Sequence, residues 1–250
     1  MRALGIKTKM VQLKYYGDDR DYFKYDLISF ILKSGIFKQY GFVPMLTKHR
    51  YDNEGNIPPT PSDCKSKKLL NFISLHPKPD LNNWELWLKK YVYTYNCIQP
   101  INTNYFNDDN RIKYWEAHEE IISANNSLIF FDPDTGIQAG RASRIKTEEK
   151  EKYILNNEIC TILDKLSHSS MFVIYQHLQW NSKKHEQDIK NKCNALSNIY
   201  KTINITMYRE KDLSFILIAK NETLTKTVTN TLNTYKQKST VSPRGIYQNA

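Results

Sequence analysis

The sequence predicts an α/β domain: a mainly parallel sheet covered on both faces, with an antiparallel hairpin near its C-terminus. Residues 127–132 and 171–175 are short, almost continuously apolar runs, the pattern of strands buried on both faces. Stretches of helical periodicity separate such runs, and strands alternating with helices imply parallel pairing through crossovers. Residues 203–209 and 213–219 are two further strands joined by Glu210-Lys211-Asp212, close enough to form a hairpin.

Residues 17–34 read as the first helix, with Phe23, Leu27, Phe30 and Ile31 at helical spacing and Gly35 as the stop. Asp18 is a natural N-cap, and Asp21 lies in the first turn, where a negative charge is favoured. Residues 41–46 then form a buried strand ending at Thr47. Residues 48–80 hold five of the nine prolines and read as a long loop with one short helix at 67–74. Residues 84–92 and 111–123 continue as amphipathic helices, so the region 48–123 is an insertion between core strands. Further helices are expected at 148–166 and 183–200, then a Thr-rich helix after 219. Residues 1–235 make one domain on this reading, and 236–250 a disordered tail.

Composition narrows the function classes. Thirty-six Lys and Arg face 26 Asp and Glu, a net charge of +10. That field attracts polyanions, so RNA, DNA or a nucleotide is the expected partner, though solvated lysines are the plainer alternative. No apolar run is long enough to span a membrane, and residues 1–16 carry no secretory signal, so a cytoplasmic location and no membrane partner are expected. Cys64, Cys97, Cys160 and Cys193 are scattered, without zinc-ligand or disulfide spacing. The signatures of P-loop, ordinary dinucleotide, serine-hydrolase and zincin enzymes are absent.

In parallel sheets ligands bind beyond the carboxyl ends of the strands. Three such ends carry functional groups: Thr47-Lys48-His49, Asp132-Pro133-Asp134-Thr135-Gly136 and Tyr175-Gln176-His177. Asp132 directly follows Leu-Ile-Phe-Phe, and a carboxylate there is costly to desolvate unless something binds it. The competing reading makes Asp132 a turn cap. Gly17-Asp18-x-x-Asp21-x-x-Lys24 begins a helix near the same rim, where Asp18 and Asp21 are either helix-start caps or site residues and Lys24 is either solvated or part of the site. His177 is the histidine best placed for a role; His49, His76, His118, His168 and His185 are expected in loops or on solvated faces.

These motifs carry a resemblance. Gly17-Asp18-x-x-Asp21-x-x-Lys24-Tyr25-x-Leu27 ahead of a first strand resembles the start of the bacterial ribosomal-RNA adenine-N6 methyltransferases. Phe131-Asp132-Pro133-Asp134 is similar to their Asp-Pro-Pro-Tyr strand, and the 203–219 hairpin is similar to the end of a class I methyltransferase sheet. The combination with Ile174-Tyr175-Gln176-His177 also resembles a group of bacterial and phage proteins. The resemblance implies a three-layer, Rossmann-like methyltransferase fold and S-adenosylmethionine as cofactor, with Asp18, Lys24 and Thr47 toward the cofactor. It implies Asp132 as acceptor for a base amine, with Asp134 and His177 beside it. Two departures keep other readings open. Thr47-Lys48-His49-Arg50 stands where a glycine-rich turn is expected, and Asp134-Thr135 replaces Pro and the base-stacking aromatic. In the second reading Asp132 and Asp134, with Asp18 or Asp21, hold Mg²⁺ for phosphodiester hydrolysis, and His177 or Lys24 serves as base or charge stabiliser. In a third the domain is inactive and binds nucleic acid or a protein.

Overall fold

The computed structural model describes residues 17–47, 66–75, 96–98, 106–138, 147–178, 185–210, 213–237 and 244–248. Among these, a seven-stranded sheet of order β2-β1-β3-β6-β8-β7-β9 is built from β1 (Gln39–Val43), β2 (Asn96–Ile98), β3 (Ser127–Phe131), β6 (Met171–His177), β7 (Asn204–Glu210), β8 (Leu213–Ala219) and β9 (Arg244–Gln248). Strands β2, β1, β3 and β6 pair in parallel. β8 is antiparallel to both β6 and β7, and β9 is antiparallel to β7, so five of the seven strands run one way. A small parallel ladder joins β4 (Gly136–Ile137) to β5 (Tyr153–Ile154).

The alternation of side chains along each strand divides the apolar residues between two cores. On one face Tyr40, Phe42, Leu128, Phe130, Val173, Phe215 and Leu217 meet α1 (Asp19–Lys33), α2 (Lys67–Leu75) and α7 (Glu222–Gln237). On the other face Val43, Ile129, Phe131, Phe172, Ile174, Met207 and Ile216 form the second core. Its helices are α3 (Arg111–Ala117), α4 (Glu119–Ser123), α5 (Asn156–Lys165) and α6 (His185–Ile199). Strands buried on both sides explain why 128–131 reads as unbroken hydrophobicity.

Several expectations need correction. The first strand ends at Val43, because Pro44 has no N–H to continue the ladder. The helix expected over 111–123 is two helices that break at His118. In a continuous helix the Tyr114 carbonyl would accept the His118 backbone N–H. Here His118 Nδ1 donates to that carbonyl at 2.7 Å, while the backbone N–H turns to Trp115 O at 3.2 Å. His118 is fully buried, not on a solvated face, and burial lowers its pKa.

The helix expected from 148 begins only at Asn156; a 3-10 helix (Thr147–Lys152) and β5 precede it. Arg111 explains the difference. Its Nη1 and Nη2 donate to the carbonyls of Lys150 and Tyr153 at 3.1 and 2.7 Å, oxygens that an α-helix would keep for itself. The same guanidinium is bidentate on Glu158 at 2.7 and 2.6 Å, and Trp115 Nε1 donates to Glu158 Oε1 at 2.7 Å. The C-terminal hairpin forms, but β8 lies between β6 and β7, and β9 is the edge strand. Within the expected disordered tail, α7 runs on to Gln237 and residues 244–248 pair with β7. The helix expected at 84–92 lies outside the described residues. No helix among them is long and apolar enough to cross a membrane.

Gly41 lies where α4 presses on β1: a Cβ there would stand 2.5 Å from Ile121 Cγ2. Gly41→Ala is expected to cost about 1–3 kcal/mol through overpacking. Adding Ile121→Leu, which removes the β-branch methyl, should recover part of that loss in urea denaturation.

Candidate functional site

Helix α1 starts with reciprocal capping. Asp18 Oδ1 accepts the Asp21 backbone N–H at 3.0 Å, and Asp21 Oδ2 accepts that of Gly17 at 3.1 Å, with Gly17 at φ +73°. Asp21 Oδ2 also accepts the Tyr25 hydroxyl at 3.1 Å. Asp18, Asp21 and Lys24 are all buried, since this end of α1 docks on the sheet at the carboxyl end of β3.

There Asp132 meets Lys24. The ammonium Nζ lies 2.8 and 3.0 Å from the two Asp132 oxygens and 3.0 Å from Asp21 Oδ1. It also stands 4.2 Å from the centroid of the Tyr175 ring on β6, a cation–π contact. One ammonium therefore joins α1, β3 and β6. Burial works against charge on Lys24, but Asp132 and Asp21 outweigh it and hold its pKa well above the ordinary value. Two buried carboxyls, Asp21 and Asp132, bond this cation, and a third, Asp18, feels its charge together with that of Arg20. Burial, reinforced by Asp21, pushes Asp18 up to about 7. Burial also raises Asp132 to about 6 against the pull of Lys24, with Asp21 and Asp134 adding to the rise.

The cluster sits at a topological switch. β1 and β3 are neighbours, yet the chain leaves β1 toward β2 on one side and β3 toward β6 on the other. Ligands of open α/β sheets bind in the crevice outside such a pair. The Asp132 N–H donates to Val43 O at 3.0 Å and so bridges the two strand ends. After β1, Met45 takes φ +29°, and its N–H donates to the Tyr114 hydroxyl at 2.9 Å. Thr47 follows, buried, with an Oγ1 that has no hydrogen-bond partner among the described residues.

The loop from Asp132 to Gln138 is fastened by Gln176. Its Oε1 accepts the Ile137 N–H at 2.8 Å; its Nε2 donates to the carbonyls of Thr135 and His177 at 3.0 and 2.8 Å. Gly136, at φ +127°, is required because a Cβ would lie 2.3 Å from Gln176 Oε1.

The structure thus brings Asp18, Asp21, Lys24 and Asp132 together, with Asp21, a helix-start acid that the sequence leaves open as cap or site residue, bonded directly to Lys24. Asp134, half-buried, acts on Asp132 through its charge. His177 does not join the Lys24 cluster. Its N–H donates to Thr135 O at 2.9 Å, and it lines a separate cavity beside the second core. Lys48 and His49 lie outside the described residues. The donor set does not suit Mg²⁺: Lys24 already occupies the position between Asp132 and Asp21 where a divalent cation would take its oxygens. Among the described residues no group of three or more His, Cys, Asp and Glu is arranged to hold a metal ion.

A carboxyl whose folded pKa is raised holds its proton more tightly in the folded chain. Its stabilising contribution is complete below the ordinary value, 3.8, and is lost as pH climbs through the folded value. For Asp18 that window runs from 3.8 to about 7, a loss on the order of 4 kcal/mol at most. Asp18→Asn keeps a capping oxygen and removes the ionisation. Melts across pH should show the variant more stable than wild type at pH 8, with the difference vanishing toward pH 4.

Comparison of the chain with protein-family models, with curated proteins and with solved structures gives no match, so the geometry of the site carries the functional reading.

Proposed function

We propose that this chain is an enzyme acting on nucleic acid or a nucleotide, with a Rossmann-like methyltransferase fold, that transfers methyl from S-adenosylmethionine to a base amine. The observation that carries this reading is a buried carboxylate, Asp132, held by Lys24 at the switch between β1 and β3. The antiparallel β7–β8 hairpin supports it, being the feature in which this sheet resembles the end of a class I methyltransferase sheet. The net charge of +10 favours a polyanionic acceptor.

The residues fit such a cofactor in one respect that substitutes for the missing glycines. The turn after β1 uses a left-handed Met45, and the buried Thr47 Oγ1 beyond it lacks a partner among the described residues. Thr47, with Asp18 and Lys24 on the α1 side, would hold the cofactor. S-adenosylmethionine supplies an electrophilic methyl group on its sulfonium. Asp132 accepts a hydrogen bond from the amine and orients the nitrogen lone pair. Each carboxylate oxygen keeps a lone pair after bonding Lys24, so the acceptor capacity remains. Lys24 positions Asp132 and does not touch the amine.

Incubation with isotopically labelled S-adenosylmethionine and pooled RNA or DNA should transfer label to a base. Asp132→Asn, which retains shape but presents one acceptor and one donor group, is expected to lower kcat/KM by about 10²–10³-fold, with cofactor binding preserved in calorimetry. Absence of both transfer and cofactor binding in the wild type would overturn the reading.

A further inference from the structure

A cavity of about 360 Å³ lies at the carboxyl end of β6, between the loop after β3 and one face of α6. Its volume is within the range of small-ligand sites. Asp188, Asn191, Lys192 and Ala195 line it at helical i, i+3, i+4, i+7 spacing, with Gln138 and Asn156 facing from other elements. None of Asp18, Lys24, Thr47 or Asp132 takes part.

Two opposite charges face this space without pairing. Asp188 Oδ2 is shielded from solvent yet has no hydrogen-bond partner among the described residues. Lys192 Nζ does not close on it; it donates to the Ile137 carbonyl at 2.8 Å and retains two further N–H groups. Burial lowers Lys192 to about 8 despite the nearby Asp188, so its ammonium gains from any added acceptor. A buried carboxylate oxygen left without donors is costly, and a ligand that supplies them removes the cost.

The pair of charges restricts what fits. An anion would be repelled by Asp188 and a cation by Lys192. A neutral planar group offering donors beside an acceptor satisfies both. Among the nucleobases, guanine alone presents two parallel N–H donors, at N1 and the N2 amino group, next to a carbonyl acceptor. Parallel donors match a carboxylate as the guanidinium fork does. We infer that this cavity binds a guanine base, Asp188 accepting from N1–H and the N2 amino group while Lys192 donates to O6. The assignment stands independently of methyl transfer, since it uses different residues.

Titration calorimetry with guanosine, adenosine, xanthosine and a single-stranded oligonucleotide bearing one guanine tests it on the full chain. Wild type should bind guanosine at least about tenfold more tightly than adenosine, as one lost bidentate pair implies. Tighter binding of the oligonucleotide than of guanosine would assign the base to a nucleic acid, and equal binding to a free nucleoside. Asp188→Asn should lose guanosine affinity and gain xanthosine, whose C2 carbonyl accepts from the new amide. That gain cannot come from misfolding. Equal binding of guanosine and adenosine, or no guanosine binding at millimolar concentration, would overturn the inference, as would unchanged guanosine affinity in Asp188→Asn.

Discussion

The Lys24–Asp132 ion pair is the constraint on which the rest of the arrangement depends. It closes 108 residues of chain onto one point and fixes the start of α1 against the end of β3. Without Lys24, Asp132 would be a bare carboxylate at the end of a five-residue apolar strand. Without Asp132, Lys24 would keep only Asp21 and the Tyr175 ring. Breaking such a pair from one side costs about 3–5 kcal/mol, because the remaining charge stays buried. Replacing both partners with apolar groups is often far less costly, so stability alone does not account for the pair's presence. The pair stands at the switch between β1 and β3, the place where open α/β sheets bind their ligands.

The two cores divide the work. The first, around α1, α2 and α7, carries the charged cluster and the Tyr235–Asp26 hydrogen bond of 2.7 Å that ties α7 to α1. The second carries the Arg111–Glu158 clamp, which holds α3 against α5, and borders the cavity at the end of β6. The loop from Asp132 to Gln138 lies between these two regions. Gln176 fastens that loop through two hydrogen bonds, to the Ile137 N–H and the Thr135 carbonyl, so the same seven residues border both sites.

Much of this was legible in the sequence where the signal is local. Asp18 as cap, the apolar runs of β3 and β6 and the hairpin β7–β8 follow from spacing and hydrophobicity within short windows. Asp132 stood out because an acid after four apolar residues demands a partner, and Lys24 was already a candidate. What was hidden is long-range. Nothing near Arg111 announces that it will take carbonyls 39 and 42 residues away, where residues 147–154 form a 3-10 helix and a short strand in place of an α-helix. His118 looks like any polar residue on an amphipathic helix until its ring takes the Tyr114 carbonyl. β9 has too little apolar pattern to read as a strand, and it forms because β7 offers an unpaired edge. Asp188 and Lys192 have the i, i+4 spacing of an ordinary helix-surface pair; only the cavity wall shows that they do not meet.

The central claim is that the crevice between β1 and β3, under the Lys24–Asp132 pair, is where the cofactor sits. Amide chemical shifts of isotopically labelled protein, followed during titration with S-adenosylmethionine, test it most directly. The account predicts shifts concentrated at Gly17, Asp18, Met45 to Thr47 and Asp132, with β7, β9 and the exposed face of α7 unchanged. Shifts confined to other regions, or none at saturating cofactor, would contradict it.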